Sequence, residues 1–252
     1  YDAADRQIEE KPPAVPVVRY ENGLQVSATV RLATRTEYDA LGNVVRRTEN
    51  ADAVNPADRR VTEYAYDSRG NQIRVTFPDA GQVDEATGTI IATGVKPEVL
   101  TTYDALNRAV VQRDTLGHHS YKIYDQAGRV AFEVDAAGYV TGYEYDALGR
   151  QETLRRYAQP VNLTALAATG WSAGQAISLS QVQTAGVLAP TASDRLITTS
   201  YDLLGRKTVV EQASTVYWKA DGTSATHSPR TEMAYNAYGE LVRESVLLEG
   251  LH

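Results

Sequence analysis

Six residues, Tyr145-Asp146-Ala147-Leu148-Gly149-Arg150, are written into this chain again and again, and their spacing constrains the fold more than any other feature. They recur at Tyr38-Asp39-Ala40-Leu41-Gly42-Asn43, Tyr66-Asp67-Ser68-Arg69-Gly70-Asn71 and Tyr103-Asp104-Ala105-Leu106-Asn107-Arg108. Further copies stand at Tyr124-Asp125-Gln126-Ala127-Gly128-Arg129, Tyr201-Asp202-Leu203-Leu204-Gly205-Arg206 and, weakened, Tyr235-Asn236-Ala237-Tyr238-Gly239-Glu240. Seven copies in 252 residues specify a repeat architecture, in which each unit buries its apolar surface against its neighbours.

The motif begins at Tyr103, Tyr124 and Tyr145, a period of 21 residues, and inside each period sits a lesser signal, Asp114-Thr115-Leu116-Gly117 or Asp135-Ala136-Ala137-Gly138. One turn therefore falls every 10 or 11 residues, the rhythm of an all-β chain of successive antiparallel hairpins. The chemistry of Asp-x-x-Gly agrees. Asp opens a type I turn because its carboxylate accepts backbone N–H bonds ahead of it, and Gly takes the fourth position in the left-handed region, closing the hairpin with a G1 bulge. The copy without Gly carries Asn107, the residue that best tolerates that region after glycine. The turn reading thus names Tyr38, Asp39, Gly42, Tyr66, Asp67, Gly70, Tyr103, Asp104, Asn107, Tyr124, Asp125, Gly128, Tyr145, Asp146, Gly149, Tyr201, Asp202 and Gly205 as the residues that matter, each structurally.

Between turns lie segments of six or seven residues. Val130, Phe132 and Val134 alternate with Arg129, Ala131 and Glu133, whereas Val44-Val45-Arg46-Arg47 blurs the alternation, so a broad sheet with two half-covered faces is expected. The rhythm breaks at residues 50–56, at the Gly-rich and acidic loop from Pro78 to Pro97, and most widely after Tyr157. There Asn162–Ala168 and Ser178–Ala185 read as short helices, capped by Asn162 and by Ser178 or Ser180. Residues 1–32 read as an extended segment, stiffened by Pro12, Pro13 and Pro16, and an entry strand that rejoins the sheet after Leu24. The expected organisation is one continuous repeat domain: residues 33–156, a helical insert over 157–197, and repeats again over 198–252, ending in a strand from Glu240 to Leu248. Both ends read as cuts through a longer array.

Composition narrows the partners. A net charge of -7 and a pI near 5.2 disfavour nucleic acid and anionic membranes, which call for a basic surface. No apolar stretch approaches membrane-spanning length, and the first residues lack the basic and apolar regions of a signal peptide. With no cysteine there are neither disulfides nor thiolate metal sites. Sixteen of the twenty aromatic residues are Tyr, suited to sheet faces where the ring packs and the hydroxyl reaches a polar partner.

Candidate chemistry is sparse. His118 and His119 are adjacent and on a strand would face opposite sides, unable to share a metal. His227 and His252 are isolated, and Gly81, Gly88 and Gly94 match no nucleotide fingerprint. The regularity of the aspartates favours turns over acid and base pairs. No catalytic, cofactor or metal residue is expected, and the chain does not read as an enzyme. The tyrosines suggest cross-strand ladders or, alternatively, a carbohydrate-binding platform. Trp171 is expected to anchor the helical insert to the sheet.

Tyr-Asp-x-x-Gly-Arg, then a strand, then Asp-x-x-Gly and Tyr-x-Tyr-Asp resembles the YD repeat of the Rhs (rearrangement hotspot) proteins, most closely from Gly128-Arg129-Val130 through Asp135-Ala136-Ala137-Gly138 to Tyr143-Glu144-Tyr145-Asp146. Arg156-Tyr157-Ala158 leading into the insert, and Asp194-Arg195-Leu196-Ile197-Thr198 after it, are similar to large bacterial members. The resemblance covers residues 33 to 252. It implies a curved antiparallel strip of a hollow shell, as in bacterial Rhs toxins, toxin-complex C components and teneurins. By the same resemblance the chain is a structural segment that encapsulates a C-terminal toxic polypeptide in a secreted bacterial toxin. Its partners are then the rest of the shell and the enclosed polypeptide, and its location secreted or at the cell surface. The alternative is an extracellular adhesion or glycan-binding module. The Asp-Pro-x-Gly-Leu signature of self-cleaving members is missing, because the chain has no Asp-Pro dipeptide.

Overall fold

Each motif copy closes a hairpin between two consecutive strands, and within each compact unit successive hairpins hydrogen-bond to one another, so order in the sheet follows order in the sequence. The computed structural model describes all residues except 22–23, 54–55, 80–81, 84–89, 93, 185, 219–222 and 248–252. Gly81, Gly88, Ala185, Leu248 and His252 therefore lie outside the described residues, and the last described strand is Leu241–Leu247. The chain divides into two compact units, Tyr1–His118 and His119–His252.

In the first unit the antiparallel order is Glu9–Glu10, Thr34–Tyr38, Val44–Glu49, Arg60–Tyr66, Gln72–Thr76, Glu98–Tyr103, Ala109–Arg113. Residues 1–32 differ from the expected extended segment and entry strand. Residues 1–6 form a turn, Glu9–Glu10 pairs with Thr34 and Arg35, and Leu24–Val30 does not rejoin the sheet. Leu24–Val30 pairs instead with Val15–Glu21 as a separate ribbon in which Pro16 stands opposite Thr29. Proline lacks the N–H that a central strand needs, and a two-stranded ribbon tolerates it. A second ribbon, Gln82–Val83 with Ile90–Ala92, occupies the loop between Pro78 and Pro97.

The second unit runs His119–Tyr124, Val130–Val134, Tyr139–Tyr145, Gln151–Pro160, Arg195–Tyr201, Lys207–Gln212, Arg230–Tyr235, Leu241–Leu247. The strand before the insert is ten residues long, so the excursion leaves the sheet at Val161 rather than at Tyr157. A further ribbon, Thr215–Trp218 with Ser224–His227, interrupts the later repeats. Within each unit, turns alternate between two edges. One edge carries only the six-residue motif; the other takes the short Asp-x-x-Gly turns and every long excursion. Loops grow where no fixed turn geometry is required.

The sheet faces are mostly half-buried, as along Arg60–Tyr66 and Arg230–Tyr235, and among the described residues most of the buried apolar side chains belong to the insert and to the strands His119–Tyr124, Val130–Val134 and Tyr139–Tyr145. The register places Tyr121 opposite Val134 and Val134 opposite Val140, so these residues share a face. They are buried with Ile123, and Val161, Leu166, Trp171, Ile177, Val182 and Val187 of the insert are buried as well. Burying each such aliphatic side chain contributes about 1.5–3 kcal/mol. The helices Leu163–Ala167 and Leu179–Val182 are capped by Asn162 and by Ser178, the latter in a reciprocal box with Gln181.

The insert is tied down by aromatic and polar contacts. Trp171 meets Tyr121 edge-on at 5.8 Å between ring centroids, and the Gly174 N–H donates to Tyr121 Oη at 3.2 Å. The buried Asp194 carboxylate accepts from the Ala158 N–H, the Thr191 N–H and hydroxyl, and Arg155. Beside this core, Gly142 lies where a Cβ would stand 3.1 Å from the Phe132 ring and 3.3 Å from Tyr157. Gly142→Val therefore overpacks the core, and urea unfolding should show a loss of about 1–3 kcal/mol; an unchanged midpoint would show that the two rings yield freely.

Candidate functional site: the repeated turn edge

The motif edge is where repeated residues converge, and its chemistry begins with Asp. In the copy at 145–150, the Asp146 N–H donates to the Arg150 carbonyl at 2.9 Å and the Gly149 N–H donates to the Asp146 carbonyl at 2.9 Å. Asp146 Oδ1 accepts the N–H groups of Leu148 and Arg150, and Oδ2 accepts Arg150 Nε at 2.6 Å. Gly149 has φ +80°, and the same position has positive φ in Gly42, Gly70, Gly128, Gly205 and Gly239. Asn107 holds it at φ 61°. The arrangement recurs around Asp39, Asp67, Asp104, Asp125 and Asp202, and at Asn236 the amide oxygen accepts the same two N–H bonds.

One copy escapes a search for Tyr-Asp-x-x-Gly. Tyr1-Asp2-Ala3-Ala4-Asp5-Arg6 folds into the same turn, with Asp5 at φ 59° and Asp2 accepting the Ala4 and Arg6 N–H groups. The legible signal was Tyr-Asp with Arg at the sixth position, and Asp shares with Asn some tolerance of the left-handed region.

The six-residue turns carry a feature that the plain Asp-x-x-Gly turn at 135–138 lacks. Each of the seven copies from Tyr38 to Tyr235 shows a register shift immediately before its Tyr. The hairpin Val130–Val134 with Tyr139–Tyr145 runs without one. A bulge there bends the strand and raises its local twist.

Tyr and Arg then join one hairpin to the next. Within each unit, the motif Tyr hydroxyl donates to the carbonyl of the residue following the sixth motif position of the preceding copy: in the first unit Tyr38 to Gln7, Tyr66 to Val44 and Tyr103 to Gln72. In the second unit Tyr145 donates to Val130, Tyr201 to Gln151 and Tyr235 to Lys207. Four of the sixth-position arginines also lay their guanidinium over the next Tyr ring within their unit. Arg6 lies over Tyr38, Arg129 over Tyr145, Arg150 over Tyr201 and Arg206 over Tyr235, at 4.4–4.7 Å from the centroid. Arg6 and Arg150 donate in addition to the carbonyls of Asp39 and Asp202.

The turn carboxylates are held below their ordinary range. The Arg150 and Arg206 backbone N–H groups lower Asp146 and Asp202, with help from the guanidinium. The Arg6 side chain brings Asp2 to about 2. At Asp104 and Asp125, slight burial pushes upward and is outweighed by the N–H and side chain of Arg108 and Arg129. Nothing here supplies the raised, poised carboxyl of a general acid.

The adjacent histidines stay local. His118 lies 3.4 Å from Asp114 within its turn, and in the second unit His119 stacks on Tyr121. Among the described residues no three His, Asp or Glu side chains converge as metal ligands would.

Two outcomes follow. Tyr145→Phe removes the hydroxyl bond to Val130 while keeping the ring beneath Arg129, and denaturant unfolding should show a loss of about 1 kcal/mol; no loss would mean that this hydroxyl bond adds nothing. Because the folded pKa values of the turn aspartates are depressed, their stabilisation is present above the unfolded value near 3.8 and lost as pH falls through the folded values. Acid unfolding followed by circular dichroism should begin below that pH, and it should begin at higher pH in Asp146→Ala.

Comparison with known proteins agrees with this geometry. The family model described as RHS Repeat matches residues 124–159, which hold the motif copies at Tyr124 and Tyr145 and the strands around them. No curated protein matches the chain. Among solved structures, a TcdB2-TccC3-Cdc42 crystal structure superposes with TM-score 0.55 at 12% identity, over 96% of this chain and 11% of that one. A mutant Tc holotoxin pore of Photorhabdus luminescens gives TM-score 0.52 at 13% identity, over 88% of this chain and 9% of that one. The chain thus spans about a tenth of the length of these structures, and at such identity the likeness is one of fold. Residues 124–159 thus match the RHS repeat, and the antiparallel sheet that carries them shares its fold with these toxin-complex structures.

Proposed function

We propose that this chain is a segment of wall: a strip of an Rhs shell that encloses a toxic polypeptide and isolates it from the cell that makes it. The observation that carries the reading is the stitched edge, where Tyr hydroxyls and Arg guanidinium groups tie each hairpin to the next. Such a strip satisfies its own backbone along its length and excludes other chains by steric closure rather than by chemistry. Half-buried faces suit contact with an incompletely folded guest. The partners are then the remainder of the shell and the enclosed polypeptide, and the protein is exported with them.

A structural role also accounts for the lack of a poised acid, base or nucleophile at the repeated positions. The stacking of Arg129, Arg150 and Arg206 on Tyr145, Tyr201 and Tyr235 favours wall over glycan platform, because one face of each ring is already covered. Limited proteolysis of the full-length polypeptide that carries this segment provides the test. Deleting residues 103–156 should expose the enclosed polypeptide to protease, and continued protection would contradict enclosure by this wall.

A further inference from the structure

The motif edge holds one feature that neither turn geometry nor stitching explains. The two central turn positions point outward, and in three successive copies of the second unit they bear large apolar side chains. Leu148 is 75% exposed, Leu203 101%, Leu204 78% and Tyr238 91%. A type I turn places no demand for Leu at these positions and accepts most residues there. In the first unit Leu41 and Leu106 are exposed at the same position, and the copy between them carries Ser68 and Arg69 instead. Single exposed apolar residues are ordinary, whereas a regular row of them marks an interaction surface.

Spacing and charge identify what the row fits. Successive motif turns are two strands apart, so the tips stand about 10 Å from one another, leaving between them room for a side chain from an opposing row. Charge beside the leucine tips is cancelled within their turns, by Asp146 with Arg150 at 2.6 Å and Asp202 with Arg206 at 2.7 Å, while the Tyr238 turn carries a single Glu240 that accepts from the Asn236 amide. Two such edges can therefore approach without the repulsion that a net charge of -7 otherwise imposes. A nucleic-acid or anionic-lipid partner would need unpaired cations beside the tips, and these arginines are engaged.

We infer that the leucine-tipped edge Leu148–Leu203–Leu204–Tyr238 is a self-association surface, and that its occupant is the same edge of a second copy, the two rows of tips interdigitating about a twofold axis. A row this short buries less than about 1,200 Å², so association is weak and depends on concentration. It strengthens in proportion to the number of tips aligned. This inference concerns an outer edge and does not depend on any enclosed polypeptide.

Sedimentation equilibrium of the full chain across a concentration series tests it. The expected result is reversible dimerisation, weakened by about tenfold or more in the quadruple variant Leu148→Ser, Leu203→Ser, Leu204→Ser, Tyr238→Ser, whose circular dichroism matches the parent. A second variant does not rely on that one folding. The chain has no cysteine, so Leu204→Cys places a single thiol on the row and Ala137→Cys places one on the opposite edge. A short bis-maleimide should link copies through position 204 and not through 137. A monomer at all concentrations, dimerisation unaltered by the quadruple variant, or equal linking at both positions would overturn the inference. Co-sedimentation of the parent, but not of the quadruple variant, with neutral phosphatidylcholine vesicles would overturn it in favour of a lipid surface.

Discussion

The structure depends on one carboxylate per hairpin. A tight turn leaves backbone N–H groups without partners, and in each of these turns a single Asp, or Asn236, accepts two of them while the fourth residue enters the left-handed region. Fixing this geometry fixes the register of both strands, and register decides which side chains share a face. The burial of Tyr121, Val134 and Val140 beneath the insert follows from registers that the turns at Asp125 and Asp135 set.

The same carboxylate also organises the link between hairpins. Its second oxygen holds the Arg five residues after the motif Tyr, and the Arg so oriented covers the Tyr of the next copy. Where the sixth residue is Asn43 or Asn71, the side-chain amide takes the place of the guanidinium on the carboxylate, and the Tyr hydroxyl bond to the next carbonyl persists. The hydroxyl bond is thus the constant part of the stitch and the stacked Arg a reinforcement. An ordered edge of this kind explains why loops of every length emerge from the other side.

Much of this was legible in the residues, because the turn is a local structure whose requirements are written within six positions. The all-β class, the short helices at Leu163–Ala167 and Leu179–Val182 with their caps, and the anchoring of Trp171 could be read from periodicity, capping residues and composition. The copy at Tyr1–Arg6 was hidden because Asp5 stands where Gly was sought. The ribbons Val15–Glu21 with Leu24–Val30 and Thr215–Trp218 with Ser224–His227 were illegible for a different reason: their strands look like those of the sheet, and only tertiary pairing separates them. The Tyr and Arg contacts between copies were equally out of reach, since they join residues up to 52 positions apart.

Hydrogen exchange, residue by residue, on the chain and on Asp146→Ala is the most direct measurement of whether one carboxylate organises both its own hairpin and the next. The account predicts faster exchange at the Leu148 and Arg150 amides, spreading along Tyr139–Tyr145 and Gln151–Pro160 and into Arg195–Tyr201, with Lys207–Gln212 less affected. Exchange that changes only at Leu148 and Arg150, or not at all, would contradict it.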